Sequence, residues 1–202
     1  MPKRLISSEN MPFAPKETPT YGLEIQKEVW QMDDGAEKIY WKYALPNSVQ
    51  IFALTTKLEI IAVSEFQPSV GTDYLHLVGE TMEKGETPFE TAMRGLREET
   101  GFRAGKMELM SSIFENSGRS NRLIHMILAT KCVKVATSKE DGIQVRLMDR
   151  GQFWKTLMDY FFSDNIHKHG GGNTLKATTL AFQKLGWLEL TGMTDRAYAK
   201  GS

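Results

Sequence analysis

Between Glu80 and Phe102 the chain reads ETMEKGETPFETAMRGLREETGF, and its charged residues are spaced for work on a cation. Thr87 is a good helix cap, Pro88 fits the first helical position, and Glu90 completes a capping box with Thr87. Gly101 is a natural left-handed stop. Glu98 and Glu99 therefore fall in the last turn, where the helix dipole disfavours negative charge. A helix selected for stability alone would carry lysine or arginine there. A bound cation removes the conflict, and hard divalent ions such as Mg2+ take oxygen ligands. For a lone Glu-Glu pair the plainer alternative is a solvated amphipathic helix with a charged end. Phe89, Ala92, Met93 and Leu96 recur at helical spacing, so this stripe is expected to face a core.

The rest of the chain must supply that core. Its 202 residues suit one domain with an appendage or two small ones, and an apolar content of 41% is enough to fill a core. The 25 lysines and arginines balance 25 aspartates and glutamates, which leaves no basic surface for nucleic acid. Cys132 is the only cysteine, so no intrachain disulfide forms and a cytoplasmic home is expected. The opening MPKRLISSENMPFAP has no apolar signal region, and no run is long enough to cross a membrane.

In chain order, residues 1 to 19 carry four prolines among polar residues and read as an extended arm. Tyr21 to Met32 and Lys38 to Leu45 read as strands around an Asp33-Asp34-Gly35 turn. Two strands cannot hold a core alone, so this hairpin needs the main domain or a second subunit to pack on. The division expected is 1–45, arm and hairpin, and 46–202, the main domain. Ser48 to Leu54 and Leu58 to Phe66 form a second strand pair, and Tyr74 to Gly79 a short strand leading into the acidic stretch. Lys106 to Asn116 and Arg122 to Val135 are strands joined by the NSGRSN loop; KEDG is a charged loop, and Ile143 to Met148 a short strand. Asp149 caps a helix with Phe153, Leu157 and Tyr160 on its apolar face. Gly170-Gly171-Gly172 breaks the chain before a last helix capped by Asn173 and ending near Leu185. This is an α+β order. Arg119 and Arg122 suit either a phosphate or an ordinary surface. His167 and His169 lie in the glycine-rich connector and read as exposed.

The acidic stretch resembles the Nudix box, G-x5-E-x7-R-E-U-x-E-E-x-G-U with U a bulky apolar residue. Glu86, Arg94, Leu96, Glu98, Glu99, Gly101 and Phe102 fall on pattern positions. From about Tyr21 to Leu185 the order is similar to that of ADP-ribose pyrophosphatases: SEFQPSVGTDYLHLVGE, the box, GRSN, LIHMILA, an acidic loop and a late helix. The resemblance implies a mixed sheet sandwiched between helices, with an N-terminal hairpin that helps build a homodimer. It implies Mg2+- or Mn2+-dependent hydrolysis of a diphosphate in ADP-ribose or another nucleoside diphosphate derivative. By the same resemblance Glu98, Glu99 and the Gly79 carbonyl are metal ligands, and Glu86 pairs with Arg94. Glu140 and Asp141 match the region of the catalytic base, although a KEDG turn is also a common surface feature.

Four places depart from that pattern. Glu80 stands at the opening glycine and Gly95 at the glutamate after Arg94. Ser64, Glu65, Phe66 and Gln67 replace a usually basic surround, and Arg122 replaces an acidic residue. Positions 95 and 99 share a helix face, so the missing carboxylate would have aimed at the same ion. Glu80 either supplies it by another route or faces solvent. Two functions remain open: a pyrophosphohydrolase, and a binding or sensor module that keeps the pocket and has lost efficient turnover.

Overall fold

The computed structural model describes residues 3–11, 23–68, 71–162 and 172–188. A large mixed sheet forms its centre. Strands β4 (Ser48–Thr55) and β5 (Ile60–Gln67) are antiparallel neighbours, and β4 pairs in parallel with β10 (Leu123–Lys134). The sheet order is β11 (Gln144–Met148), β5, β4, β10, β8 (Phe102–Arg103). β6 (Thr72–His76) joins β5, β7 (Val78–Thr81) joins β4, and β9 (Lys106–Phe114) joins β10.

Helices cover both faces, and the central strand shows why. On β4, Phe52 and Leu54 enter the layer with α2 (Arg150–Phe161) and α3 (Gly172–Lys184), while Val49, Ile51 and Ala53 enter the layer with α1 (Pro88–Thr100). A strand apolar on both faces must be covered on both. Each large side chain fully buried there contributes about 1.5–3 kcal/mol. Phe52 meets Phe153 and Phe182 edge-on, at 6.4 and 5.8 Å between ring centres.

Four expectations need correction. Residues 4–11 are not an arm: they form β1 (Arg4–Met11), antiparallel to β2 (Glu24–Gln31), which pairs with β3 (Glu37–Ala44). The appendage is a three-stranded sheet, with Lys27 Nζ 3.1 Å from Glu9 Oε1 across the added edge. The expected strand from Tyr74 to Gly79 is two strands, because the chain leaves β5 at His76 and pairs with β4 from Val78. Finally, the inward face of α1 is turned. Ala92 and Leu96 are buried as expected, but Phe89 and Met93 are 40% and 53% exposed, and Thr91, Gly95, Glu99 and Thr100 take the inner positions. α1 packs closely on β7 and β4, and small side chains allow that approach. The last helix begins at Gly172, so Asn173 lies inside it. Gly170, Gly171, His167 and His169 fall outside the described residues.

Candidate active site

The end of α1 is held by the chain that leaves β10. Its start is the expected capping box: Thr87 Oγ1 accepts from the Glu90 amide at 3.3 Å, and Glu90 Oε2 accepts from the Thr87 amide at 2.8 Å. At the other end Gly101 adopts φ 70°, ψ 12°, and its amide donates to the Arg97 carbonyl. The remaining carbonyls need partners. The amides of Val135 and Ala136 donate to Gly101 O at 2.9 and 3.1 Å, and Lys134 Nζ donates to Thr100 O at 2.8 Å. The amide of Lys139 and the Ser138 hydroxyl donate to Glu98 O at 2.9 and 3.2 Å. Wrapped this way, the KEDG loop places Glu140 within electrostatic reach of the glutamates on the helix.

Glu99 is the centre of the arrangement. It is 4% exposed, and its Oε2 has no hydrogen-bond partner. Burial, followed by the charges of Glu140, Glu80 and Glu65, pushes its carboxyl up to about 9; the Gly79 amide opposes the rise. Glu140 lies exposed in the loop, yet it too is held above the usual carboxylate range, by desolvation and then by Glu80, Glu65 and Glu98. Carboxylates contributed by β5, β7, α1 and the KEDG loop thus repel one another around one buried oxygen.

Arg94 binds the other side of this group. Its Nε and Nη2 donate to Glu86 Oε1 and Oε2, both at 2.9 Å, in a bidentate pair. This pair, with the Glu83 amide and the Thr91 hydroxyl, holds the Glu86 carboxyl down at about 2. Nη2 also donates to Thr81 O at 2.9 Å, and Nη1 lies 3.1 Å from Glu80 Oε2. One guanidinium therefore ties the acidic loop and β7 to the helix.

The residues singled out from sequence do not all converge. Glu99 accepts from the amide of Gly79, and Glu80 and Glu140 are near enough for their charges to act on it. Glu98 turns aside, its oxygens 3.8 Å from Arg94 Nη1 and 3.7 Å from Lys139 Nζ. Asp141 is exposed. Arg122 lines a small polar cleft with Gly79, Glu80, Gln50 and Glu115, where its Nη1 lies 3.3 Å from Glu115 Oε1 and its buried Nε has no partner. Arg119 lines a different cleft, with Lys3 and with Trp30 and Trp41 of the N-terminal sheet. Sequence reasoning missed two contributors. Glu65 is brought in by β5, where its Oε1 lies 3.0 Å from His76 Nε2. Gln50 Nε2 donates to Leu77 O at 2.7 Å and shapes the approach to Gly79. The facing of these strands is a matter of register, and no linear spacing announces it.

The donor set fits a hard divalent cation. It consists of carboxylate oxygens, with a buried orphan at its centre and mutual repulsion that positive charge would relieve. Among the described residues no three side chains already form a closed ligand set. Glu80 is engaged by Arg94, so closing on a cation requires local adjustment.

A family model described as the NUDIX domain matches residues 44–168. The chain is 30% identical over 95 residues to an ADP-ribose pyrophosphatase of Bacillus subtilis (strain 168), covering 47% of this chain and 51% of that protein. It is 31% identical over 84 residues to a methanol dehydrogenase activator of Bacillus methanolicus, covering 42% and 45%. It is 32% identical over 71 residues to an ADP-sugar pyrophosphatase of Mus musculus, covering 35% and 33%. The chain thus spans about half or less of the curated relatives it matches. A crystal structure of an ADP compounds hydrolase superposes with a TM-score of 0.72 at 14% identity, covering 93% of this chain and 98% of that one, which shows the shared fold.

Proposed function

The chain belongs to the Nudix family, and from that membership we propose that it is a hydrolase of nucleoside diphosphate derivatives, with ADP-ribose or a similar nucleoside diphosphate sugar as substrate and Mg2+ or Mn2+ as cofactor. The observation that carries the reading is the buried, unpartnered Glu99 oxygen at the end of the capped helix, on a carboxyl that the charges of Glu140, Glu80 and Glu65 raise further. Glu99, Glu80 and the Gly79 carbonyl would hold the cation, with Glu98 able to join them by a side-chain rotation. When bound, the cation neutralises the diphosphate oxygens and the charge that develops on them. Glu140, held above its ordinary range, is suited to take a proton from the attacking water; Asp141 is the neighbouring candidate. A water oxygen bonds to phosphorus, the bridging phosphorus–oxygen bond breaks, and the two products leave as phosphate monoesters. Arg122 beside Gly79 and Glu80 would hold a phosphate oxygen, and Arg119 would meet the distal part of the substrate.

The test is a panel of nucleoside diphosphate derivatives with Mg2+ or Mn2+, read by AMP or phosphate release. Hydrolysis of at least one member, dependent on the cation, is expected. A binding module without turnover is favoured by one observation, Gly95 in place of the box glutamate after Arg94. It would give ligand binding and no product across the whole panel.

The assembly proposed is a homodimer built through the N-terminal sheet. On β3 Ile39, Tyr40 and Trp41 are exposed, Trp41 to 52%, and on β1 so are Leu5 and Ile6. Apolar residues on both edges of a small sheet invite a covering partner. Sedimentation equilibrium at micromolar concentration should return twice the 22.9 kDa chain mass; a monomer would contradict the assembly. The single cysteine supports a cytoplasmic location, and among the described residues no helix is long and apolar enough to cross a membrane.

A further inference from the structure

We propose that Glu80 and Gly95 are two halves of one exchange, in which β7 delivers beside Glu99 the carboxylate that α1 does not carry. The inference rests on the cation-site reading above.

A β-carbon added at Gly95 would lie 2.7 Å from Glu80 Cβ, 3.0 Å from its Cγ and 3.4 Å from its Oε2. The Glu80 side chain therefore fills the space that a residue at position 95 would enter, and the two side chains exclude each other. Glycine inside a helix costs about 1 kcal/mol relative to alanine. Gly95 lies on the buried face of α1, and the close approach of Glu80 is the physical reason for it. Packing alone would call for an apolar filler at position 80. Instead the position holds a carboxylate whose orientation is fixed from two sides: Oε1 accepts from the Thr81 amide at 2.8 Å, and Oε2 lies 3.1 Å from Arg94 Nη1. Held there against α1, it stands one turn from Glu99, the next residue but three along the helix from Gly95, whose buried Oε2 has no partner.

The test is a double-mutant cycle with two readouts that do not need turnover: Mn2+ binding by calorimetry, and thermal unfolding of the metal-free protein. Gly95→Glu alone should lower the melting temperature, because two carboxylates compete for one space, and should weaken Mn2+ binding. Glu80→Gly alone should weaken Mn2+ binding by about tenfold or more, since one charged oxygen ligand is lost. The pair Glu80→Gly with Gly95→Glu should recover Mn2+ affinity to within about threefold of wild type, a strongly non-additive result. Glu80→Gln keeps the shape and much of the hydrogen bonding, and should still lose Mn2+ affinity. Additive effects in the cycle would overturn the exchange. Wild-type Mn2+ affinity in Glu80→Gln would overturn it too, leaving Glu80 as a partner of Arg94 only. A protein that binds Mn2+ with these couplings but hydrolyses nothing would refute the hydrolase reading and leave the exchange standing.

Discussion

Glu99→Gln is expected to stabilise the metal-free chain and, in the same protein, to remove most of its Mg2+ and Mn2+ binding. The two effects have one cause. In the folded chain the Glu99 carboxyl is pushed up to about 9 from an ordinary 4.5. Between those values the folded chain holds a proton that the unfolded chain has lost. The favourable proton-linked contribution is therefore fully present below about pH 4.5 and is lost as pH rises through about 9. Glutamine has the shape of the protonated acid and no charge to desolvate. The variant should gain on the order of 1–3 kcal/mol over metal-free wild type at pH 7, with the difference vanishing near pH 4.5 and growing toward pH 9. Urea unfolding at several pH values measures it. Glutamine cannot supply a charged oxygen, so calorimetry with Mn2+ should show affinity reduced by about tenfold or more. A Glu99→Gln protein with unchanged Mn2+ affinity would show that Glu99 is not a ligand, and a stability gain independent of pH would show that its carboxyl is not raised.

Gly101→Ala is expected to be the most destabilising single methyl addition in the site region. Gly101 has φ 70°, where an L side chain costs roughly 1–2 kcal/mol. The larger obstacle is contact: its β-carbon would lie 2.1 Å from the carbonyl oxygen of Ala136, which is backbone and cannot rotate away. Relief requires moving residues 135–139, whose amides cap the end of α1 and whose path places Glu140. A loss on the order of 3 kcal/mol or more is expected, with a fall in melting temperature of roughly 6–12 °C. Residual folded protein should lose turnover more than it loses substrate binding, because the displaced Glu140 is the proposed base. A variant within about 0.5 kcal/mol of wild type would mean that the loop yields freely and does not fix the site.

Much of this architecture is legible in local chemistry. Thr87, Pro88, Glu90 and Gly101 mark both ends of α1, and the apolar runs of β4, β5, β9 and β10 mark the sheet. What escapes the sequence is tertiary. The periodicity of α1 gives two overlapping stripes, and the polar-looking one is buried because β7 approaches there with Glu80 against Gly95. β1 is polar and flanked by prolines, and it becomes a strand only because β2 offers an open edge. Arg119 and Arg122 lie three residues apart yet line separate clefts. Ser120 bridges to Tyr43 of the N-terminal sheet, and the chain then enters β10. Glu65 reaches the acidic group from β5, where it pairs with Tyr74 of β6 and contacts His76.

The most direct test measures AMP release from ADP-ribose by wild-type protein and by Glu99→Gln, side by side, with Mg2+ and with chelator. The account predicts release by wild type in Mg2+ alone, with at least a hundredfold less from the variant, on the order expected when a charge-stabilising group is removed. Release that survives chelation, or that proceeds equally in Glu99→Gln, would contradict it.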